Sequence, residues 1–206
     1  ANAGASVRWL KRDVPHLENA CLSLDEIIEE GKRAGDIIRG LLALTRNQAS
    51  LFAREDLHDI ARHILSLTRT ELERKWIALE LEFRATCADI FCDSVQIQQV
   101  LLNLIVNAVD AMMLVEDSPR TLRLVSSNPS PQTLLFEVID SGPGIAPDIL
   151  QRVFESFYTT KKEGMGMGLA ISKDIINRHR GELKAESREV GGSRFWFTLP
   201  VDNPAG

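Results

Sequence analysis

The chain of 206 residues has 24 Lys and Arg against 29 Asp and Glu, and its formal net charge of −5 argues against a nucleic-acid partner, which needs clustered basic side chains. Its 44% hydrophobic residues are enough to bury a core, and its length accommodates one ordinary domain plus a smaller part. The cysteines Cys21, Cys87 and Cys92 form no Cys-x-x-Cys pair, so neither a disulfide framework nor a zinc site is indicated.

No apolar stretch approaches the ~20 residues that cross a membrane, and the first residues do not have the pattern of a signal peptide. We therefore expect a cytoplasmic chain without a membrane segment. A membrane anchor of the native protein would lie outside this chain.

Residues 1–48 predict a helical hairpin. Pro15 favours the start of a helix, because proline is well tolerated in a first helical turn. The helix that follows carries one apolar stripe with spacings of three, four and seven, formed by Leu24, Ile27, Ile28, Ala34, Ile38, Leu41, Leu42 and Thr45. Two helices alone do not bury such a stripe. We expect it to be covered either by a second copy in a four-helix bundle or by the rest of the same chain.

A linker and first strand are predicted at residues 49–56, a second domain at 57–201 and a tail at 202–206. In the second domain, we predict helices at residues 57–74, 93–114 and 167–179, and strands at 76–84, 88–92, 122–127, 133–139, 181–187 and 193–200. On the first of these strands Ile77, Leu79, Leu81 and Phe83 share one face. Helices interleaved with neighbouring strands predict an α+β fold, a two-layer sandwich with a mixed sheet covered on one face.

A line of polar residues follows one face of the predicted helix 93–114. Its members are separated by three or four positions: Gln96, Gln99, Asn103, Asn107 and Asp110. The neighbouring residues are apolar, and a merely solvated face would more often carry Lys and Glu. The line therefore indicates a pocket, although an exposed face is the alternative.

Glycines recur at two places beyond this helix. Asp140 ends an apolar strand and is followed by Gly142 and Gly144, which allow a flat ring to approach the backbone. Gly164, Gly166 and Gly168 precede an apolar helical run, and a glycine-rich segment that opens a helix often holds phosphate. The chain contains no Gly-Lys-Ser/Thr, and no buried strand precedes the second glycine segment. A P-loop and a dinucleotide fingerprint are therefore excluded.

Four segments occur in a characteristic order: "NLIVNAVDAM", "DSGPGI", "FESFYTTK" and "GMGMGLAIS". They resemble the N, G1, F and G2 boxes of the ATP-binding domain of sensor histidine kinases, in the superfamily shared with DNA gyrase and the mismatch-repair ATPases. The resemblance covers residues ~50 to 200 in the right order, which makes it far more specific than any single box. The "TTK" segment and Asp110 are most similar to the oxygen-sensing and nitrogen-regulatory kinase subgroup.

The resemblance implies that the chain binds ATP and Mg²⁺. Asn107 would offer its amide oxygen to Mg²⁺, and Asn103 would lie near phosphate or a metal-bound water, with Asp110 in the same ATP-binding line. Asp140 would accept a hydrogen bond from the adenine amine, with Thr198 as a weaker, water-mediated candidate. Gly142, Gly144 and Ile145 would border the purine.

The resemblance also implies a mobile lid over the triphosphate. Gly164, Gly166 and Gly168 would form its hinge and phosphate-facing end, and Leu169 would begin the helix whose N–H groups face the phosphates. Lys161 would neutralise phosphate charge, although a solvated loop lysine is an equal alternative.

In such kinases the hairpin forms a homodimer and carries a phosphoacceptor histidine, followed by Glu or Asp, with Pro about five residues further on. His16, His58, His63 and His179 lack this context. We therefore expect the acceptor to lie upstream of this chain, which would bind nucleotide without phosphorylating itself. A response regulator would receive the phosphoryl group on an aspartate.

The residues alone leave two other functions open. One is an ATPase or serine kinase of the same superfamily, which the hairpin stripe disfavours. The other is a non-catalytic dimerisation module, which the complete set of Asn, Asp and Gly positions disfavours.

Overall fold

The structure, a computed structural model, describes residues 2–12, 15–27, 52–115, 118–161, 165–189 and 191–201. The chain divides into two compact units. The first comprises residues 1–46 and 159–165, and the second comprises residues 47–158 and 166–206.

The first unit contains helix α1 (Asn2–Leu10) and a helix α2 that begins at residue 17 and is described up to residue 27. Between them, the backbone N–H of His16 donates to the Trp9 carbonyl, and the two rings meet edge to face at 5.6 Å. Most of the predicted stripe on the second helix, from Ile28 onward, lies outside the described residues. Its burial and its partner therefore stay predictions.

The second unit is built on a mixed five-stranded sheet. Its elements are β1 (Ala53–Asp56), α3 (Leu57–Arg74), β2 (Ile77–Phe83), β3 (Asp89–Cys92), α4 (Ser94–Met112), β4 (Arg120–Ser130), β5 (Thr133–Asp140), α5 (Pro147–Arg152), α6 (Gly168–Arg178), β6 (Glu182–Ser187) and β7 (Ser193–Pro200). The sheet has the order β2-β4-β5-β7-β6, in which β2 runs parallel to β4 and the other neighbours are antiparallel. Strands β1 and β3 form a separate antiparallel pair.

Helices α3, α4 and α6 cover one face of this sheet and enclose a single apolar core. Alternate residues of the strands point toward the helices, so that Leu124, Val138 and Phe195 are buried across three neighbouring strands. The predicted α+β two-layer sandwich with a mixed sheet is confirmed.

Helices α3 and α4 begin in the same way. The carboxylate of Asp56 accepts from the N–H groups of His58 and Asp59, and the carboxylate of Asp93 caps α4 in the same manner. At the opposite end of both helices, the Arg120 guanidinium donates to the carbonyls of Lys75, Met112 and Val115. A cation at this position satisfies carbonyls that the helices leave unpaired and complements the helix dipoles.

By length and composition, α4 is apolar enough to cross a membrane, although the sequence was expected to contain no such segment. Its apolar residues instead form the centre of the folded core, with Ile97, Leu101 and Leu104 almost fully buried. The high hydropathy of α4 is therefore explained by its packing against the sheet, with α3 and α6 beside it.

Three details differ from the sequence predictions. Strand β4 continues to Ser130, beyond its predicted end at residue 127, with a register shift between Ser127 and Ser130. The short helix α5, which has no buried residues, was not predicted. On β2, Ile77 is buried but Leu79 and Leu81 are 40% and 46% exposed, because β2 is an edge strand that the helices cover only in part.

His58 connects α3 to the sheet through a buried polar contact. Its Nε2 lies 2.7 Å from the hydroxyl of the fully buried Ser126, and its ring stacks on Phe83 at 4.6 Å. Burial lowers the pKa of His58, and the Asp56 carboxylate opposes this shift in part. The folded protein therefore favours the neutral imidazole.

We expect the free energy of unfolding to fall as the pH drops below about 6.5, because the unfolded state then binds a proton that the folded state resists. The measurement is urea denaturation of the wild type and His58→Gln between pH 7.5 and pH 5.5. The decline should be smaller in His58→Gln. His63→Gln is the control, since His63 lies exposed on the same helix; a decline that vanished in this control instead would contradict the assignment.

Candidate functional site

The polar line on α4 lies along the side of the helix that faces away from the core. Asn103, Asn107 and Asp110 are half-buried there, whereas Leu101 and Ile105 on the other side are buried. The amphipathic packing of α4 therefore presents the two carboxamides and the carboxylate at the edge of the domain, as the spacing predicted.

Asn103 connects α4 to the start of α6. Its side-chain amide nitrogen donates to the carbonyl of Gly168 at 3.2 Å and to the hydroxyl of Ser172 at 3.2 Å. Ser172 in turn donates to the Gly168 carbonyl at 2.9 Å. The amide nitrogen of Asn103 therefore holds the first turn of α6. Its amide oxygen can accept from a metal-bound water but cannot donate to phosphate, so the contact with a metal-bound water stays a prediction.

Asp140 is a buried carboxylate held by donors from two loops. One oxygen accepts from the N–H of Gly142 at 2.8 Å and from the N–H of Ser193 at 3.2 Å, and the other accepts from the Ser193 hydroxyl. The carboxylate is only 2% exposed, so these donors compensate the loss of water around its charge. A carboxylate has about four acceptor positions, and one remains for a further donor.

Ser193 is a site residue that sequence reasoning missed. The available signal was the Gly-Gly-Ser segment that opens the last strand. This segment belongs to the site only because β5 pairs with β7. The pairing aligns Ile139 with Arg194 and thereby brings Ser193 beside Asp140.

Thr198 does not join this group, so its predicted role near adenine is corrected. On β7 it lies five residues beyond Ser193, opposite Leu135. Because side chains alternate between the faces of a sheet, Thr198 lies on the face opposite to Asp140 and Ser193. Its side chain is thus directed away from the helices and from the line on α4.

The glycines after Asp140 allow three backbone segments to meet. A Cβ on Gly142 would lie 3.1 Å from Ala111, so this glycine lets the loop rest on α4 directly beside Asp110. Gly144 has φ +82°, and a Cβ there would lie 2.6 Å from the Ser187 hydroxyl. The same hydroxyl accepts from the N–H of Ile145 at 3.0 Å. The structure thus places Gly142 against the end of α4, and Gly144 and Ile145 beside Ser187 at the end of β6.

Gly166 also has a left-handed backbone, with φ +66°. A Cβ there would lie 2.4 Å from the carbonyl oxygen of Tyr158, and its own carbonyl accepts from the N–H of Phe157 at 3.0 Å. These contacts join the "FESFYTTK" segment to the start of the final glycine segment. The hinge function that was predicted for Gly166 is not tested by them.

The remaining residues of the predicted lid are described only in part. Gly168 opens α6, and Leu169 packs partly buried against the core. Lys161 is exposed, and its backbone N–H donates to the Thr159 hydroxyl at 3.1 Å. Gly164 lies outside the described residues, so its predicted position stays a prediction.

A cavity of about 180 Å³ adjoins Asp140 on the outer face of the sheet, away from the helices. It is lined by Glu80, Thr121, Arg123, Ile139, Asp140, Ser141 and Arg188. None of the residues on α4 lines it. The candidate site is therefore the edge between α4, the Asp140 loop and α6, and not this cavity.

Within the described ranges, no group of three His, Cys, Asp or Glu side chains is placed to hold a metal ion. A divalent cation at α4 would need amide oxygens together with ligands from a bound nucleotide and water. The buried Cys92 thiol does not contribute chemistry, because burial raises its pKa to about 12 and keeps it protonated.

Comparisons with known proteins agree with this geometry. The family model for histidine kinase-, DNA gyrase B-, and HSP90-like ATPases matches residues 92–203, which include α4, the Asp140 loop and α6. The sensor histidine kinase TmoS of Ectopseudomonas mendocina is 37% identical over 97% of this chain, and the sensor protein FixL of Bradyrhizobium diazoefficiens is 36% identical over 92%. The chain spans only 21% and 36% of the lengths of these relatives.

Among solved structures, the nucleotide-free catalytic domain of histidine kinase ThkA has a TM-score of 0.65 and 28% identity, covering 73% of this chain and 95% of that domain. ThkA in complex with the response regulator TrrA matches over 97% of this chain and 56% of that one, with a TM-score of 0.73 at 24% identity, which shows a shared fold. The resemblance to sensor histidine kinases that the motifs indicated is confirmed.

The two glycines before Ser193 provide a matched test of the Asp140 arrangement. Gly191 and Gly192 both have positive φ, but a Cβ on Gly191 meets nothing within 4 Å, whereas a Cβ on Gly192 would lie 1.9 Å from the Asp140 carbonyl oxygen. We expect Gly191→Ala to cost about 1 kcal/mol of unfolding free energy through backbone strain alone. Gly192→Ala should cost about 3 kcal/mol or more, because the loop must move away from Asp140.

The measurement is urea denaturation of both variants beside the wild type. Equal losses in the two variants would show that the close contact between Gly192 and Asp140 does not exist in solution.

Proposed function

The chain belongs to the family of histidine kinase-, DNA gyrase B-, and HSP90-like ATPases, and from that premise we propose that it is the catalytic portion of a sensor histidine kinase. In this proposal it binds Mg²⁺ and ATP and delivers the γ-phosphoryl group to a histidine nitrogen. The phosphoryl group then passes to an aspartate of a response regulator. The names of the related kinases and the response regulator bound by ThkA support this assignment.

The observation that carries the proposal is the arrangement of Asp140. Three hydrogen bonds hold its carboxylate in one orientation, and one acceptor position remains for an exocyclic amine such as that of adenine. Gly142 lies beside it with no side chain, against Ala111 of α4. In the proposal, a flat purine lies beside this loop, on the side away from Ala111, while its amine donates to Asp140.

The residues on α4 fit a magnesium ion. Mg²⁺ prefers oxygen ligands and usually keeps several waters, so a single carboxamide oxygen together with nucleotide phosphates is a sufficient protein contribution. We propose that Asn107 supplies this oxygen and that Asp110 and Asn103 flank it. The bound ion would neutralise phosphate charge.

The start of α6 suits the phosphates. Its N-cap residue Met167 makes no side-chain capping bond, so this side chain does not occupy the first N–H groups of the helix, which can donate to phosphate oxygens. Gly168 and Leu169 would lie at the phosphates, and Lys161 with Gly164 and Gly166 would belong to the lid. The chain would contribute mainly by positioning the nucleotide and compensating its charge.

The four histidines do not provide an acceptor in this proposal. His58 and His179 are buried and hydrogen-bonded, and His63 lies on α3 within the catalytic unit. His16 is followed by Leu17 and not by the acid of the acceptor pattern. We propose that the acceptor is upstream in the intact protein, that residues 1–48 belong to its dimerising hairpin, and that the kinase acts in the cytoplasm. The chain itself would bind nucleotide without becoming phosphorylated.

Asn107→Ala should weaken the binding of ADP in the presence of Mg²⁺ by about tenfold or more, because the ion loses its protein ligand. The measurement is isothermal titration calorimetry with and without Mg²⁺. Val106→Ala is the control, since this neighbour is exposed on the same helix. The difference between the Asn107 variant and the wild type should disappear when the metal is chelated, and its persistence would contradict the assigned role.

Labelling with γ-phosphate-labelled ATP tests the proposed reaction. We expect no label on this chain, and an acid-labile label on a version extended upstream to include the first preceding histidine. Label on the short chain would contradict the placement of the acceptor. Acid-stable label on the extended version would indicate a serine kinase instead.

A further inference from the structure

His179 lies buried at the end of α6, only 4% exposed, and both of its ring nitrogens are used. Nδ1–H donates to the carbonyl of Ile175 at 2.7 Å, and Nε2 accepts from the backbone N–H of Asp93 at 3.0 Å. The pair of bonds requires the neutral tautomer with the proton on Nδ1. His179 therefore joins the last turn of α6 to the residue that begins α4.

Asp93 is itself the N-cap of α4. Its carboxylate accepts from the N–H groups of Val95 and Gln96 at 3.1 Å and 3.2 Å, and from the Gln96 side chain at 2.9 Å. Its own N–H is not part of the helix and is directed to His179 instead. The imidazole thus determines where the first turn of α4 lies relative to the last turn of α6.

The two helices are held together by two separate polar contacts. Asn103, in the middle of α4, donates to Gly168 and Ser172 at the start of α6, and His179, at the end of α6, accepts from Asp93 at the start of α4. The helical rise of about 1.5 Å per residue places Asp93 about 15 Å from Asn103 along α4, and Gly168 about 17 Å from His179 along α6. The contact at Asp93 therefore restrains how α6 can pivot about the contact at Asn103.

Phe52 completes the contact at His179. Its ring stacks on the imidazole at 4.8 Å between centroids and also approaches Phe91 at 5.6 Å. Phe52 directly precedes β1, so it lies where the chain enters the catalytic unit. A change in the position of this segment would alter the packing on one face of His179.

We propose that His179 is a positioning residue for the nucleotide site, and that Phe52 holds its ring in place. The inference rests on the proposed binding of nucleotide between α4 and α6. Loss of the bond between His179 and Asp93 removes one of the two polar restraints between the helices, so that α6 can pivot about the contact at Asn103 and shift its first turn. The position of the segment around Phe52 is thereby coupled to nucleotide affinity.

Two substitutions of His179 separate its two bonds. The amide of a glutamine occupies the place of Nε2, so His179→Gln keeps an acceptor for Asp93, whereas the shorter His179→Asn keeps only a group near Nδ1. Both lose the stack on Phe52. We expect His179→Asn to weaken ADP binding about 3- to 10-fold and His179→Gln to remain within about 2-fold of the wild type.

The measurement is calorimetric titration of this chain with ADP and Mg²⁺, combined with hydrogen exchange of the Asp93 amide. That amide should exchange faster in His179→Asn than in His179→Gln. A purely structural role would lower the unfolding free energy of both variants but leave the affinity of the folded protein unchanged. Equal affinities of His179→Asn and the wild type would therefore overturn the inference.

Phe52→Leu and Phe91→Leu form a second matched pair. Both remove an aromatic ring from the same cluster, but only Phe52 stacks on His179. The Phe52 variant should weaken ADP binding and the Phe91 variant should not; the opposite order would contradict the coupling. If the unchanged chain bound no ADP at all, the proposed function itself would fail.

Discussion

The burial of α4 against the five-stranded sheet is the constraint on which the candidate site depends. One side of this helix supplies the central apolar residues of the core, so the helix cannot turn about its axis without exposing them to water. The opposite side therefore holds Asn103, Asn107 and Asp110 in a fixed position. The other parts of the site are placed by contact with this helix, since Gly142 lies against Ala111 and Gly168 accepts from Asn103.

The second constraint is the buried charge of Asp140. A carboxylate inside a protein needs donors, and here they come from Gly142 in the loop after β5 and from Ser193 at the start of β7. The donors approach closely only because Gly192 and Gly142 have no side chains. The glycines are therefore required for the hydrogen bonds of Asp140, in addition to any role that they have toward a ligand. If either segment moved away from Asp140, the buried carboxylate would lose hydrogen bonds that compensate its charge.

Local patterns predicted the elements whose signals are local. Helix α3 was predicted with its observed bounds, because its apolar residues recur with helical spacing. The extension of β4 was missed because Pro129 is typical of a turn, whereas the sheet accommodates it with a register shift. Helix α5 was missed because it has six residues and none is buried, so it carries no apolar periodicity.

The sequence by itself determined the fold class, the family resemblance and the polar line on α4, because all three follow from the order and spacing of nearby residues. Only the tertiary structure decided that Ser193 accompanies Asp140 and that Thr198 does not. The pairing of β5 with β7 sets which residues lie side by side, and alternation along the strand directs Thr198 to the other face. The contact between His179 and Asp93 joins residues 86 positions apart in the sequence. No local sequence pattern predicts such a contact, because it forms only when the two segments come together in the fold.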